Sequence, residues 1–133
     1  MNATFEAWSP RMLAVLRIVT ALLYMEHGLM KFFAFPAPMP GGGGSLPVLL
    51  LVAACLETIG PPLLVLGLFT RPVAFLLSGE MAIAYFMAHA PHSFWPVLNG
   101  GEPPILYCFV FLYLVFAGPG AFSLDAMIGK KLR

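Results

Sequence analysis

Four long apolar segments constrain what this chain can fold into more than any other feature of its sequence. They run from about residue 10 to 33, 46 to 69, 72 to 90 and 103 to 118. A helix needs about 20 apolar residues to cross about 30 Å of hydrocarbon, and three segments meet or approach that length. Only 10% of the 133 residues are charged, whereas soluble domains carry about 25%. The sequence therefore predicts an all-α integral membrane four-helix bundle, with residues 1–133 forming a single transmembrane domain.

Basic residues indicate the orientation of this bundle. With four spans, the two termini and the turn near Arg71 share one side of the membrane. That side carries Arg11, Arg71 and the basic C-terminal tail, whereas the opposite side has only Lys31 at a helix end. Because Lys and Arg concentrate in cytoplasmic loops, we expect both termini in the cytoplasm. The tail FSLDAMIGKKLR is too short to span, and its mixed apolar and basic character predicts a short amphipathic segment on the inner surface.

Composition also argues against several classes of site. The formal net charge is +1 and there is no basic stripe, so we expect no nucleic-acid partner. Cys55 and Cys108 lie in apolar runs without CxxC spacing, which predicts neither a disulfide framework nor a metal site. His27 and His89 both lie toward the outer surface rather than facing each other at mid-depth, which argues against haem.

Ionisable residues inside the apolar segments mark candidate sites, because they are expensive at membrane depth. Arg17 and Glu80 lie at similar predicted depths on the first and third helices, which predicts a structural ion pair. Glu57 lies near the middle of the second helix. Pro61 and Pro62 remove two backbone donors beyond it, so we expect a kink and a polar spot beside Glu57. The alternative is that Glu57 only ties helices together.

A second group of polar residues lies in the outer third of the bundle. His27 and Lys31 lie near one face of the first helix, and His89 ends the third. Glu102 begins the fourth helix, where the positive end of the dipole favours a carboxylate. We therefore predict a hydrogen-bonded group of His27, Glu102 and Lys31, with His89 nearby, facing any ligand that binds there. Lys31 could instead reach the interface alone.

The order and spacing of several motifs resemble the DoxX family of small bacterial membrane proteins. The motifs are R-x9-HG-x2-K from Arg17, E-x2-G-x6-G-L-F-T-R from Glu57, GGE at 100–102 and GPGAFSLD at 118–125. The resemblance implies a four-helix protein of the bacterial inner membrane. It also implies a link to a thiosulfate:quinone oxidoreductase or to complexes that handle oxidative and thiol stress. The matching residues are Arg17, His27, Gly28, Lys31, Glu57, Gly60, Thr70, Arg71, Glu102, Ser123 and Asp125, none of them catalytic by that match alone.

Our first functional hypothesis is a membrane subunit without catalytic activity of its own that supports an oxidoreductase partner. A quinone or other lipophilic ligand would bind among the polar residues, and membrane lipids and a protein partner or second copy would surround the bundle. One rival is a proton-coupled transporter, which predicts that Glu57 reaches water on both sides. The other is a scaffold, which predicts that all intramembrane charges are paired and that no pocket exists.

Overall fold

The structure, a computed structural model, describes residues 2–40 and 45–131, and every regular element in these two ranges is helical. The glycine tract 41–44 and the last two residues of the basic tail lie outside them. Three helices are long and apolar enough to span a membrane, and a fourth apolar helix has 16 residues. The elements are α1 (Ala3–Phe33), α2 (Val48–Leu66), α3 (Thr70–Ala84) with a π-helical continuation (Tyr85–His89), α4 (Pro96–Asn99), α5 (Glu102–Ala117) and α6 (Leu124–Lys131).

The first helix starts earlier than its sequence suggests. The apolar pattern predicts a start at about Pro10, but α1 begins at Ala3 and passes through that proline. Proline in a helix frees only the carbonyl of residue i−4, and here that residue, Glu6, is exposed, so water can satisfy it. The α2 helix likewise continues through Pro61 and Pro62 as far as Leu66.

The four apolar helices form two hairpins. The α1 helix packs mainly against α2, and α3 packs mainly against α5. Contacts between α2 and α3 are fewer, and those between α1 and α5 are sparse. The two hairpins therefore meet along a loose seam, which leaves room for cavities. The core that joins them consists of Ala21, Tyr24, Leu64, Ala74, Leu77, Met81, Phe111 and Leu114.

Polarity is distributed as expected for a chain surrounded by lipid. Large apolar side chains point outward, and Ile59, Phe75 and Phe109 are each more than 60% exposed. Arg17 and Glu57, by contrast, are buried inside the bundle. In water, an apolar surface of this kind would make the protein aggregate. Lipid tails solvate it instead, so the chain is a membrane protein.

The bundle has two ends of different composition. The terminal end contains the start of α1, the turn between α2 and α3, and residues 118–125. The loop end contains the end of α1, the start of α2, the π-helical segment and the start of α5. At the terminal end, Gly67 has φ +65° and closes α2. Its N–H donates to the carbonyl of Leu64, and the next N–H donates to that of Leu63, which is a glycine-dependent helix stop.

Candidate functional site: a cavity between the two hairpins

A cavity of about 700 Å³ lies toward the loop end of the seam between α2 and α3. Its walls are mostly apolar side chains such as Leu56, Phe75 and Met87. Residues of α1 and α5 also line it. The polar residues that line it are Tyr24, His27, Lys31, Glu57, Glu80, His89 and Tyr107. It thus contains four of the five residues predicted for the polar cluster, together with Glu80.

An ion pair between α1 and α2 forms part of the cavity lining. The Nζ atom of Lys31 donates to Oε2 of Glu57, and their side chains are 12% and 5% exposed. Lys31 therefore does not reach the interface alone. Among the side chains of residues 2–40 and 45–129, this is the sole salt bridge within 4 Å. Because a buried charge without a partner is strongly destabilising, each residue explains the presence of the other.

Gly28 allows α1 and α2 to approach closely beside this pair. A Cβ atom at Gly28 would lie 2.5 Å from Oγ1 of Thr58 and 2.7 Å from the carbonyl carbon of Glu57. Small residues at such positions let membrane helices pack backbone to backbone. The Thr58 hydroxyl donates to the carbonyl of Ala54 at 2.7 Å within its own helix. The polar spot expected beside Glu57 is therefore occupied by α1 and by local hydrogen bonds.

Glu80 pairs with a tyrosine, so the predicted Arg17–Glu80 ion pair is wrong. The phenol of Tyr24 donates to Oε2 of Glu80 at 3.0 Å. The other oxygen, Oε1, is buried and has no hydrogen-bond partner among the described residues. The guanidinium of Arg17 lies beside Gly67, just before the start of α3 at Thr70. Glu80 lies about 15 Å further along α3.

Arg17 instead ties the C-terminal segment to the bundle. Its guanidinium donates to the carbonyl of Pro119 and, at 2.8 Å, to that of Phe122. A Cβ atom at Gly67 would lie 2.7 Å from its Nη1 atom, so glycine is required in the turn that Arg17 fills. Arg17 is fully buried, yet it serves the terminal end and takes no part in the cavity.

Asp125 completes this connection at the terminal end. Its carboxylate accepts the backbone N–H groups of Phe69 and Thr70, both at 2.9 Å, at the start of α3. Burial raises the pKa of Asp125, but these hydrogen bonds and the charge of Arg17 outweigh it, so the pKa lies below its ordinary value. Arg71 donates to the last carbonyls of α5, those of Val115 and Phe116. The motifs GLFTR (67–71) and GPGAFSLD (118–125) therefore contact each other here, and these contacts are structural.

The predicted group of His27, Glu102 and Lys31 does not form. Glu102 is exposed and lines a separate cavity of about 390 Å³ on the α1–α5 side. The physical reason is that α5 packs on α3 and hardly contacts α1, so its first turn does not meet Lys31. His27 is exposed and packs against aromatic rings, with its centroid 6.0 Å from that of Tyr24 and 6.1 Å from that of Tyr107.

His89 lines the cavity from the π-helical segment. Its Nδ1 atom lies 2.9 Å from the carbonyl oxygen of Asn99, which can only accept, so Nδ1 carries a proton. Asn99 also accepts from the N–H of Gly101 at 2.7 Å and donates to the carbonyl of Ser93 at 2.8 Å. Asn99 thus organises the connection between α3 and α5. Sequence reasoning missed it because its partners are mostly backbone groups.

Other chemistries find little support in the described part of the chain. No group of three or more His, Cys, Asp or Glu residues there could hold a metal ion. Cys55 is exposed and Cys108 is half-buried, and neither forms a disulfide. Cys108 accepts a hydrogen bond from Ser78 through its carbonyl at 2.9 Å.

Comparison with known proteins identifies the family. The DoxX family model matches residues 12–90. An uncharacterized protein of Haemophilus influenzae is 49% identical over 95% of this chain and 97% of its own length. Inner membrane protein YphA of Escherichia coli is 32% identical over 91% of this chain and 93% of its own. CatD of Bacillus subtilis, named provisionally as an oxidoreductase, is 27% identical over 98% and 96%.

No solved structure matched the chain. The family model nevertheless covers more than half of the sequence, and the match to YphA extends over almost all of both chains. Together with the three helices able to span a membrane, these matches establish that this multi-pass protein of the bacterial inner membrane belongs to the DoxX family.

Proposed function

We propose that this protein is a small inner-membrane subunit that supports a redox partner and holds a lipophilic ligand, a quinone, in the cavity between its hairpins. The observation that carries the proposal is the cavity itself. Its volume of about 700 Å³ falls within the range of about 300–1,000 Å³ typical of small-molecule sites. Apolar walls with a few polar groups suit a ligand that has a hydrophobic tail and a polar head.

The position of the cavity supports a ligand that arrives through lipid. Residues of both α2 and α3 line the cavity, and one of them, Phe75, is also exposed on the outside of the bundle. A lipid-soluble molecule could therefore bind from within the bilayer. The provisional naming of CatD as an oxidoreductase favours a redox role for such a ligand.

The proposal includes four membrane spans with both termini in the cytoplasm. With 16 residues, α5 is about 24 Å long, slightly less than the hydrocarbon thickness of about 30 Å. Local thinning of the bilayer accommodates such a difference at small cost. The basic residues of the terminal end favour the cytoplasmic side for that end, and α6 then lies along the inner surface.

Two features weigh against the rival functions. A scaffold predicts that no pocket exists, yet the bundle contains a cavity of about 700 Å³, and Oε1 of Glu80, which lines it, has no hydrogen-bond partner among the described residues. A proton-coupled transporter would need Glu57 to reach water, but its side chain is only 5% exposed and is paired with Lys31. Ligand binding fits both observations better.

Cavity-filling variants provide the test. Gly79 lines the cavity, and a Cβ atom there would meet nothing within 4 Å. Gly79→Phe should therefore fill the cavity without disturbing the fold, and Gly79→Ala serves as the matched control. Each protein is purified from native membranes in mild detergent, and bound quinones and proteins are identified by mass spectrometry.

We expect quinone to co-purify with the wild type and with Gly79→Ala, and to fall at least tenfold in Gly79→Phe. We also expect a cofactor-bearing oxidoreductase among the co-purifying proteins. Equal quinone in all three preparations, at the level of the extracted lipid, would refute the ligand site. Absence of any redox protein under conditions that retain quinone would refute the supporting role.

A further inference from the structure

We infer that Glu80 is the ligand's polar anchor: a neutral carboxylic acid, held by Tyr24, that donates a hydrogen bond to a carbonyl oxygen of the bound molecule. This inference rests on the proposed function, because it assumes that the cavity is a ligand site. It adds the residue that recognises the ligand and the chemical class of the head group, a neutral carbonyl compound.

The charges around the cavity require a neutral Glu80. Lys31 and Glu57 pair with each other and cancel. Glu80 has no cation within salt-bridge distance in the described ranges, because Arg17 is committed to backbone carbonyls at the terminal end. An ionised Glu80 would be an unpaired negative charge in an apolar medium, and such groups take up a proton instead. The titratable residues that share the cavity with it are Tyr24, His27, Lys31, Glu57, His89 and Tyr107.

The hydrogen bonds of Glu80 indicate which of its two oxygens carries the proton. Tyr24 is fully buried and donates to Oε2, which occupies the acceptor oxygen of a neutral carboxyl group. The hydroxyl is then left on Oε1, the buried oxygen that has no partner among the described residues. Glu80 lines the cavity, and the hydroxyl hydrogen on Oε1 can reorient about its C–O bond toward an acceptor there without moving the oxygen that Tyr24 holds.

Aromatic rings beside Glu80 suit a flat head group. Tyr24 and Tyr107 both line the cavity, with their ring centroids 5.0 Å apart in an edge-to-face arrangement, and His27 lies edge-on to Tyr107. A flat carbonyl-bearing ring such as a quinone can pack against these side chains while its oxygen accepts from Glu80. A cationic amine would instead require the ionised form of Glu80.

Substitutions at Glu80 test this inference with two independent readouts. The first is the affinity of the purified protein for a short-tailed benzoquinone. Glu80→Gln stays neutral and keeps a donor, so we expect it to bind within about threefold of the wild type. Glu80→Leu leaves the ligand carbonyl without a donor, which should weaken binding about tenfold or more. Glu26→Leu, an exposed glutamate of α1 outside the cavity lining, should have no effect.

The second readout is infrared absorption, which does not need a ligand. We expect the carbonyl stretch of a protonated carboxylic acid in the wild type and in Glu26→Leu, and its loss in Glu80→Gln. Thermal unfolding of each variant shows whether it is folded. A spectrum without that band would overturn the inference, as would binding that Glu80→Gln and Glu80→Leu weaken equally.

The outcomes separate the inference from the proposed function. If the wild type binds quinone and Glu80→Leu binds it equally well, the inference fails and the proposed function stands. If the wild type binds no quinone but binds a lipophilic amine more tightly as pH rises, Glu80 is ionised and both fail. If neither compound binds and the infrared band is present, the proposed ligand site fails while the protonation of Glu80 is upheld.

Discussion

Breaking the Lys31–Glu57 ion pair should destabilise the protein more than any other single loss of charge in the cavity. Replacing Lys31 by Met leaves Glu57 as a charge with a side chain only 5% exposed. Replacing Glu57 by Gln leaves Lys31 unpaired at 12% exposure. Two charges 4 Å apart attract each other by about 4 kcal/mol at an effective dielectric of 20. Removing one partner of a buried pair typically costs about 3–5 kcal/mol.

The double variant Lys31→Met/Glu57→Gln separates the interaction from the cost of stranding a charge. It leaves no unpaired charge behind, so we expect it to lose about as much free energy of unfolding as one single variant loses. The coupling energy between the two sites should then be about 3–5 kcal/mol. Unfolding in mixed micelles of mild detergent and dodecyl sulfate, followed by circular dichroism, gives these free energies.

Glu26→Gln is the matched control, because this glutamate is exposed on α1 and its loss should change the free energy by no more than about 0.5 kcal/mol. Single losses that simply add in the double variant would show that the two charges do not depend on each other. The account of the cavity as an electrically balanced site would then be wrong.

Three further predictions concern helix packing, the terminal end and the corrected ion pair. Gly28→Ala should lower the free energy of unfolding by about 1–3 kcal/mol, because its Cβ would overlap the backbone of α2; Gly79→Ala, which meets nothing, should change it little in the same assay. The folded-state pKa of Asp125 lies below its ordinary value of 3.8, so its stabilising contribution should be complete above that value. It should disappear as pH falls through the lower folded-state pKa, and Asp125→Asn should remove this part of the pH dependence measured by acid unfolding. Arg17→Ala and Glu80→Ala should lower the free energy of unfolding additively in a double-mutant cycle, because the two side chains share no contact. A coupling energy above about 1 kcal/mol would show that Arg17 and Glu80 interact after all.

The sequence alone determined the class of the protein and the residue types of its candidate site. Long apolar segments with few charges leave a helical membrane protein as the physical solution, because each backbone polar group in lipid must be satisfied within its own helix. Lys31, Glu57 and Glu80 are candidate site residues on the sequence alone, because a charged residue at membrane depth is costly and marks a functional or structural site.

Only the tertiary structure decided which of these groups meet. Depth counted along separate helices paired Arg17 with Glu80, but the guanidinium of Arg17 donates to the carbonyls of Pro119 and Phe122 at the terminal end. The apolar pattern of a membrane helix changes little when the helix slides by a turn, so sequence does not fix the axial offset between neighbours. Side-chain partners depend directly on that offset.

The same limit explains the residues around the cavity. Glu102 does not contact Lys31, because α5 packs on α3 rather than on α1. Hydrophobicity alone does not determine which helices are neighbours. Tyr24 carries no charge that would mark it in the sequence, and only the tertiary structure brings its hydroxyl to Glu80. The sequence therefore determined that lipid surrounds this protein and which charged residues lie at membrane depth. The packing of two hairpins across a loose seam decided their partners, because a few ångströms of offset determine whether polar atoms meet.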